Sequence, residues 1–97
     1  AHAVPVLPGA EKAADDFLYT AAGQRNRNHT GPYVTFEQVP FALEEVLFDP
    51  QTSGGLLLAA APEDAVALEA ELQAAGLPAK IVGEIIPKTE QEITVKY

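Results

Sequence analysis

The sequence has no cysteine, no methionine and no tryptophan. Lack of cysteine excludes disulfides, thiolate metal sites and cysteine nucleophiles within these residues, and it fits a cytoplasmic origin. Positive charge is scarce as well: six Lys and Arg stand against fourteen Asp and Glu, for a formal charge of -8. A chain of that sign repels nucleic acid and anionic membrane unless it concentrates a basic face, and only Arg25 and Arg27 lie close together. Neither nucleic acid nor a membrane is therefore an expected partner. The longest apolar run, residues 56–61, falls far short of the ~20 residues that a membrane-spanning helix needs. No basic leader with an apolar stretch opens the chain, and no methionine starts it, so it reads as a piece cut from a longer protein.

What is present is an ordinary globular mixture: 97 residues, 47% hydrophobic and 21% charged. That is one domain with one modest core. Residues 1–8 read as an extended, proline-spaced segment. Ala10, Ala13, Ala14, Phe17, Leu18 and Ala21 recur at helical spacing, which predicts a helix over 10–22 with Gly23 as its stop. Residues 24–32 are polar and end in a Thr30-Gly31-Pro32 turn signal, so a surface loop is expected there. Residues 33–36 favour a strand. Residues 41–48 favour a helix with Leu43, Val46 and Leu47 on one side and Glu44 and Glu45 on a solvated side.

The continuous apolar run over 56–60 predicts a central strand covered on both faces. Pro62 opens the next helix, Ala65, Leu68, Leu72 and Ala75 form its apolar stripe, and Gly76 closes it. Residues 79–86 read as a strand, and Ile93 and Val95 alternate with Thr94 and Lys96 in a last strand. The order predicts an α/β or α+β sandwich, a mixed sheet with helices packed on one face.

Chemistry concentrates at residues 49–58, DPQTSGGLLL. Asp49 before Pro50 is pushed out of helical geometry, so the preceding helix should stop near Phe48. Gln51, Thr52 and Ser53 offer three consecutive hydrogen-bonding side chains, and Gly54 and Gly55 permit positive φ or close approach by another group. Consecutive glycine amides can also form an anion-binding nest. The alternative is a plain structural turn from Asp49 and Pro50 into a strand. A GxxxxGK[ST] phosphate loop is excluded, since no lysine stands here and no helix follows directly.

Arg25, Asn26 and Arg27 form the second candidate, because guanidinium groups match phosphate oxygens in paired hydrogen bonds. Arginines in a loop are also often simply solvated. His2 and His29 are too isolated for a metal or triad site; His29, near the arginines, remains a minor candidate. The pairs Asp15-Asp16, Glu44-Glu45 and Glu63-Asp64 diverge by about 100° on a helix and read as solubilising.

Residues 49–58, together with PVLPGA at 5–10 (and Val4 before it), Arg25-Asn26-Arg27 and IVGEI at 81–85, closely resemble the C-terminal part of the selenide, water dikinase (selenophosphate synthetase) family. That family belongs to the aminoimidazole ribonucleotide synthetase-like superfamily. The resemblance covers almost the whole chain. It implies an intact enzyme that makes selenophosphate from selenide, ATP and water, releasing AMP and phosphate with magnesium as helper. It further implies a homodimer in which this C-terminal α/β domain accompanies an N-terminal domain carrying the reactive cysteine or selenocysteine, its lysine and the metal aspartates. On that basis the chain is one partial domain, expected to hold no catalytic or metal residue and to bind neither ATP nor Mg alone. Thr52, Ser53, Gly54, Gly55, Arg25 and Asn26 are expected to border the cleft. Alternatives are a thiamine-monophosphate kinase-like or hydrogenase-maturation-like relative, or a non-enzymatic dimerisation or docking domain.

Overall fold

The computed structural model describes all residues from Ala1 to Tyr97. In chain order it contains α1 (Ala10–Asp15), α2 (Ala21–Thr30), a single 3-10 turn (Gly31–Tyr33), β1 (Val34–Glu37), α3 (Phe41–Phe48), α4 (Pro62–Ala74) and β2 (Ile93–Lys96). It is a small α+β fold in which β1 and β2 pair in parallel, with Val34 opposite Ile93 and Phe36 opposite Val95. The first three helices meet around Leu43, which with Ala14, Ala42 and Phe48 makes the apolar core. Phe36 ties the sheet to this core, its ring edge-on to that of Phe48 at 5.5 Å.

The helix expected over residues 10–22 is two helices. After Asp15 the chain closes a Schellman motif: Leu18 N–H reaches Ala13 C=O at 2.8 Å and Phe17 N–H reaches Ala14 C=O at 3.0 Å. Phe17 takes the left-handed φ of 61° that the motif usually gives to glycine. Local closure thus overrides the apolar periodicity, and Phe17, expected to be buried, is 75% exposed.

The next helix then starts where a loop was expected. Thr20 is its N-cap, its hydroxyl accepting the Gly23 N–H at 3.0 Å, and the polar run 24–30 continues as helix instead of loop. Gly23, expected to stop a helix, lies inside one. A side chain there would contact Thr20 Oγ1 at 3.4 Å and Phe48 O at 3.7 Å, so glycine lets α2 approach the end of α3.

The helix α3 spans the expected residues, and Asp49 leaves it with extended backbone, φ -63° and ψ 134°, as a residue before proline should. Its polar face differs from expectation. Glu45 is only 2% exposed and Glu44 is partly buried, because the guanidinium of Arg27 reaches both.

Downstream, α4 begins at Pro62 as expected, with Ala65, Leu68 and Leu72 partly buried but Ala75 exposed. Gly76, at φ 81°, closes α4 in a second Schellman motif through Leu77 N–H to Leu72 C=O.

The strands expected over 56–60 and 79–86 do not form: both stretches lack regular structure and pair with nothing. Leu56 and Leu57 are 87% and 86% exposed, and Ile85 matches them. A strand is defined by its hydrogen-bonded neighbour, and the two strands of this sheet pair with each other and not with either stretch.

Candidate functional site

The turn after α3 is built by its own backbone. Gly54 N–H donates to Gln51 C=O at 3.1 Å, and between them Ser53 takes φ 56°, the left-handed value that a type II turn places at its third residue. The glycines permit positive φ, but the residue that takes it is the serine. Gly54 is needed for a different reason. A Cβ on it would stand 2.9 Å from Gln51 Cβ and 3.0 Å from Gln51 O, closer than atoms tolerate. Gly55 has open space on its Cβ side. The Gly54 amide is engaged within the turn, whereas the Gln51, Thr52 and Ser53 side chains and the Gly55 amide, all on exposed residues, donate to nothing within the chain.

Two side chains, one on α2 and one at its N-cap, fasten the start of this turn. The amide of Asn26 donates to Phe48 C=O at 2.9 Å, one of the terminal carbonyls that α3 cannot satisfy internally. The hydroxyl of Thr20 donates to Asp49 Oδ1 at 3.2 Å while accepting from Gly23 N–H. Asp49 is therefore tied to the N-cap of α2.

The three residues 25–27 separate by role. Arg27 points inward: Nε lies 2.7 Å from Glu45 Oε1 and Nη2 lies 2.8 Å from Glu44 Oε2. Its Cζ sits 5.1 Å from the Phe41 ring centre and 4.8 Å from that of Phe48. The contacts are close but poorly aligned as hydrogen bonds, so Arg27 Nε, Nη2 and Glu45 Oε1 gain mainly Coulombic and cation–π attraction. Gln24 donates to the other Glu45 oxygen. No local pattern marks this cluster, because Arg27 and its carboxylates lie on different helices. Asn26 is committed to Phe48. Arg25 is exposed and pairs with no carboxylate, leaving its guanidinium available to an anion.

His2 stacks edge-on to Tyr97 at 6.0 Å, beside a hollow of about 250 Å³ that none of the candidate residues lines. No three His, Cys, Asp or Glu side chains stand together as a metal site would require. The residues present do not fit a magnesium site.

Residues 7–96 match the family described as AIR synthase related protein, C-terminal domain, and the chain belongs to that family. Within it, the chain is 54% identical over 93 residues to the selenide, water dikinase of Agathobacter rectalis, an alignment covering 95% of this chain and 27% of that protein. It is 41% identical over 88 residues to the selenide, water dikinase of Desulfitobacterium hafniense, covering 91% of this chain and 26% of the relative. For that of a Geobacter species the figures are 43% over 84 residues, 87% and 24%. The chain spans about a quarter of the length of these relatives. No solved structure matches it significantly.

Proposed function

We propose that the chain is the C-terminal portion of a selenide, water dikinase, one partial domain of an enzyme that makes selenophosphate from selenide, ATP and water with release of AMP and phosphate. The observation that carries this reading is the 54% identity over 93 residues to the Agathobacter rectalis enzyme. In the intact protein ATP and magnesium are held chiefly by an N-terminal domain, as the family resemblance implies. This portion brings Arg25, Thr52 and Ser53 to the edge of the cleft, where a free guanidinium and two hydroxyls suit phosphate oxygens.

The exposed Leu56, Leu57, Ile85 and Ile86 support a docking role as well. Apolar surface of this kind marks an interaction site, and the proposed occupants are the enzyme's own N-terminal domain and the second subunit of a homodimer. A cytoplasmic location belongs to the same reading; no helix is long and apolar enough to cross a membrane.

The test is a chimera in which this chain replaces the matching quarter of the Agathobacter rectalis enzyme. Selenide-dependent AMP formation by the chimera supports the reading. A folded chimera with no such activity, or AMP formation by the 97-residue chain alone, would contradict it.

A further inference from the structure

The hydrogen bonds of Asn26 and Thr20 converge on two consecutive residues, Phe48 and Asp49, where α3 ends and the turn begins. We propose that Asn26 and Thr20 are positioning residues that set the direction in which residues 49–55 leave α3, and that Asn26 acts through this bond and not as a phosphate ligand.

Three features of the geometry carry the inference. Asn26 has spent a donor on a backbone carbonyl at 2.9 Å. A carbonyl at a helix end has no intrahelical partner, so this bond fixes a group that would otherwise turn toward water. The Thr20 hydroxyl is used in both directions, donating to Asp49 and accepting from Gly23 N–H, which locks its rotor. Gly23, without a side chain, lets α2 approach close enough for both bonds, its Cβ position lying 3.8 Å from Asp49 Cα.

Beyond Asp49 the turn is held by one internal bond, Gly54 N–H to Gln51 C=O, and all residues from 50 to 61 are exposed. Its anchorage is therefore at its start. The consequence for a cleft at residues 52–55 rests on the proposed function, but the anchorage itself can be measured without selenide or ATP.

The experiment is amide hydrogen exchange on the 97-residue chain, reading Gly54 against the hydrogen-bonded amides of α1, which packs on α3, as an internal reference. Loss of one ordinary hydrogen bond corresponds to about fivefold in an opening equilibrium. Asn26→Ala, and Asn26→Asp, which keeps the size but cannot donate, are each expected to speed Gly54 exchange about fivefold with α1 unmoved. Thr20→Val should act in the same direction, and Thr20→Ser, which retains the hydroxyl, should restore the wild-type rate. Gly54 exchange unchanged in Asn26→Asp and Thr20→Val would overturn the proposal, whether or not Asp49 itself exchanges faster. So would equal acceleration of Gly54 and α1, which signals destabilisation of the whole helical core. Neither outcome bears on whether the enzyme assignment holds.

Discussion

Replacing Arg27 by methionine keeps a long side chain between Phe41 and Phe48 and removes only the charge. Two carboxylates then lose their partner: Glu45, 2.7 Å from Nε and almost wholly buried, and Glu44, 2.8 Å from Nη2. Breaking a buried ion pair by removing one partner costs roughly 3–5 kcal/mol, because the remaining charge is left uncompensated. The lower end applies here, since the Arg27 and Glu44 side chains retain 25% and 17% of their exposure and water can reach them. Cation–π contact with two rings adds to the loss, though not additively within one cluster. About 3 kcal/mol is a large share of the ~5–15 kcal/mol total stability of a domain this size.

With a urea slope of about 1 kcal/mol/M for a small domain, the midpoint should fall by about 3 M, or the variant should be unfolded without denaturant. Circular dichroism during urea titration reads it. The double variant Arg27→Met with Glu45→Leu should recover at least half of the loss, as apolar replacement of a buried pair does. A midpoint shift below about 0.5 M in Arg27→Met would refute the reasoning and return Arg27 to the solvated arginines.

Phe17→Gly should raise stability by about 1 kcal/mol, or ~4–8 °C in thermal melting, because an exposed side chain gives way to the residue suited to left-handed φ; a lower melting temperature would contradict the Schellman closure. Gly54→Ala should cost about 1–2 kcal/mol through the clash with Gln51, whereas Gly55→Ala should cost under about 0.5 kcal/mol; equal effects in denaturant titrations would refute the turn geometry. The 97-residue chain should self-associate as its concentration rises, and Leu57→Asp should weaken this. Sedimentation that is monomeric throughout for the parent chain would remove the docking role of the apolar stretch.

Much of the fold was legible where the signal is local. Pro50 ends α3 at the expected place, Gly76 closes α4, and β-favouring residues mark β1 and β2. The failures have physical causes that lie beyond the window in which periodicity is read. Residues 24–30 are polar and read as a loop, yet the Thr20 cap starts a helix whose Gln24, Asn26 and Arg27 side chains turn to α3. Glu44 and Glu45 read as solvated because their partner Arg27 lies on another helix. The apolar run over 56–60 reads as a buried strand, but burial requires a neighbour, and no neighbouring strand takes it up. At the candidate site the sequence identified the turn and the arginine segment as the places of interest. The division of labour among Arg25, Asn26 and Arg27 needed side-chain geometry, since three adjacent polar residues on one helix point to three different surroundings.

The central claim, that residues 52–55 and Arg25 border reacting phosphates, is tested most directly by turnover in the Agathobacter rectalis chimera. Arg25→Ala, Thr52→Ala, Ser53→Ala and Gly55→Ala should each leave the fold intact by circular dichroism. At least one is expected to lower selenide-dependent AMP formation about tenfold, equivalent to ~1.4 kcal/mol of barrier, through lost donors to developing charge. Full turnover in all four folded variants would contradict the account and leave residues 49–55 as a structural turn.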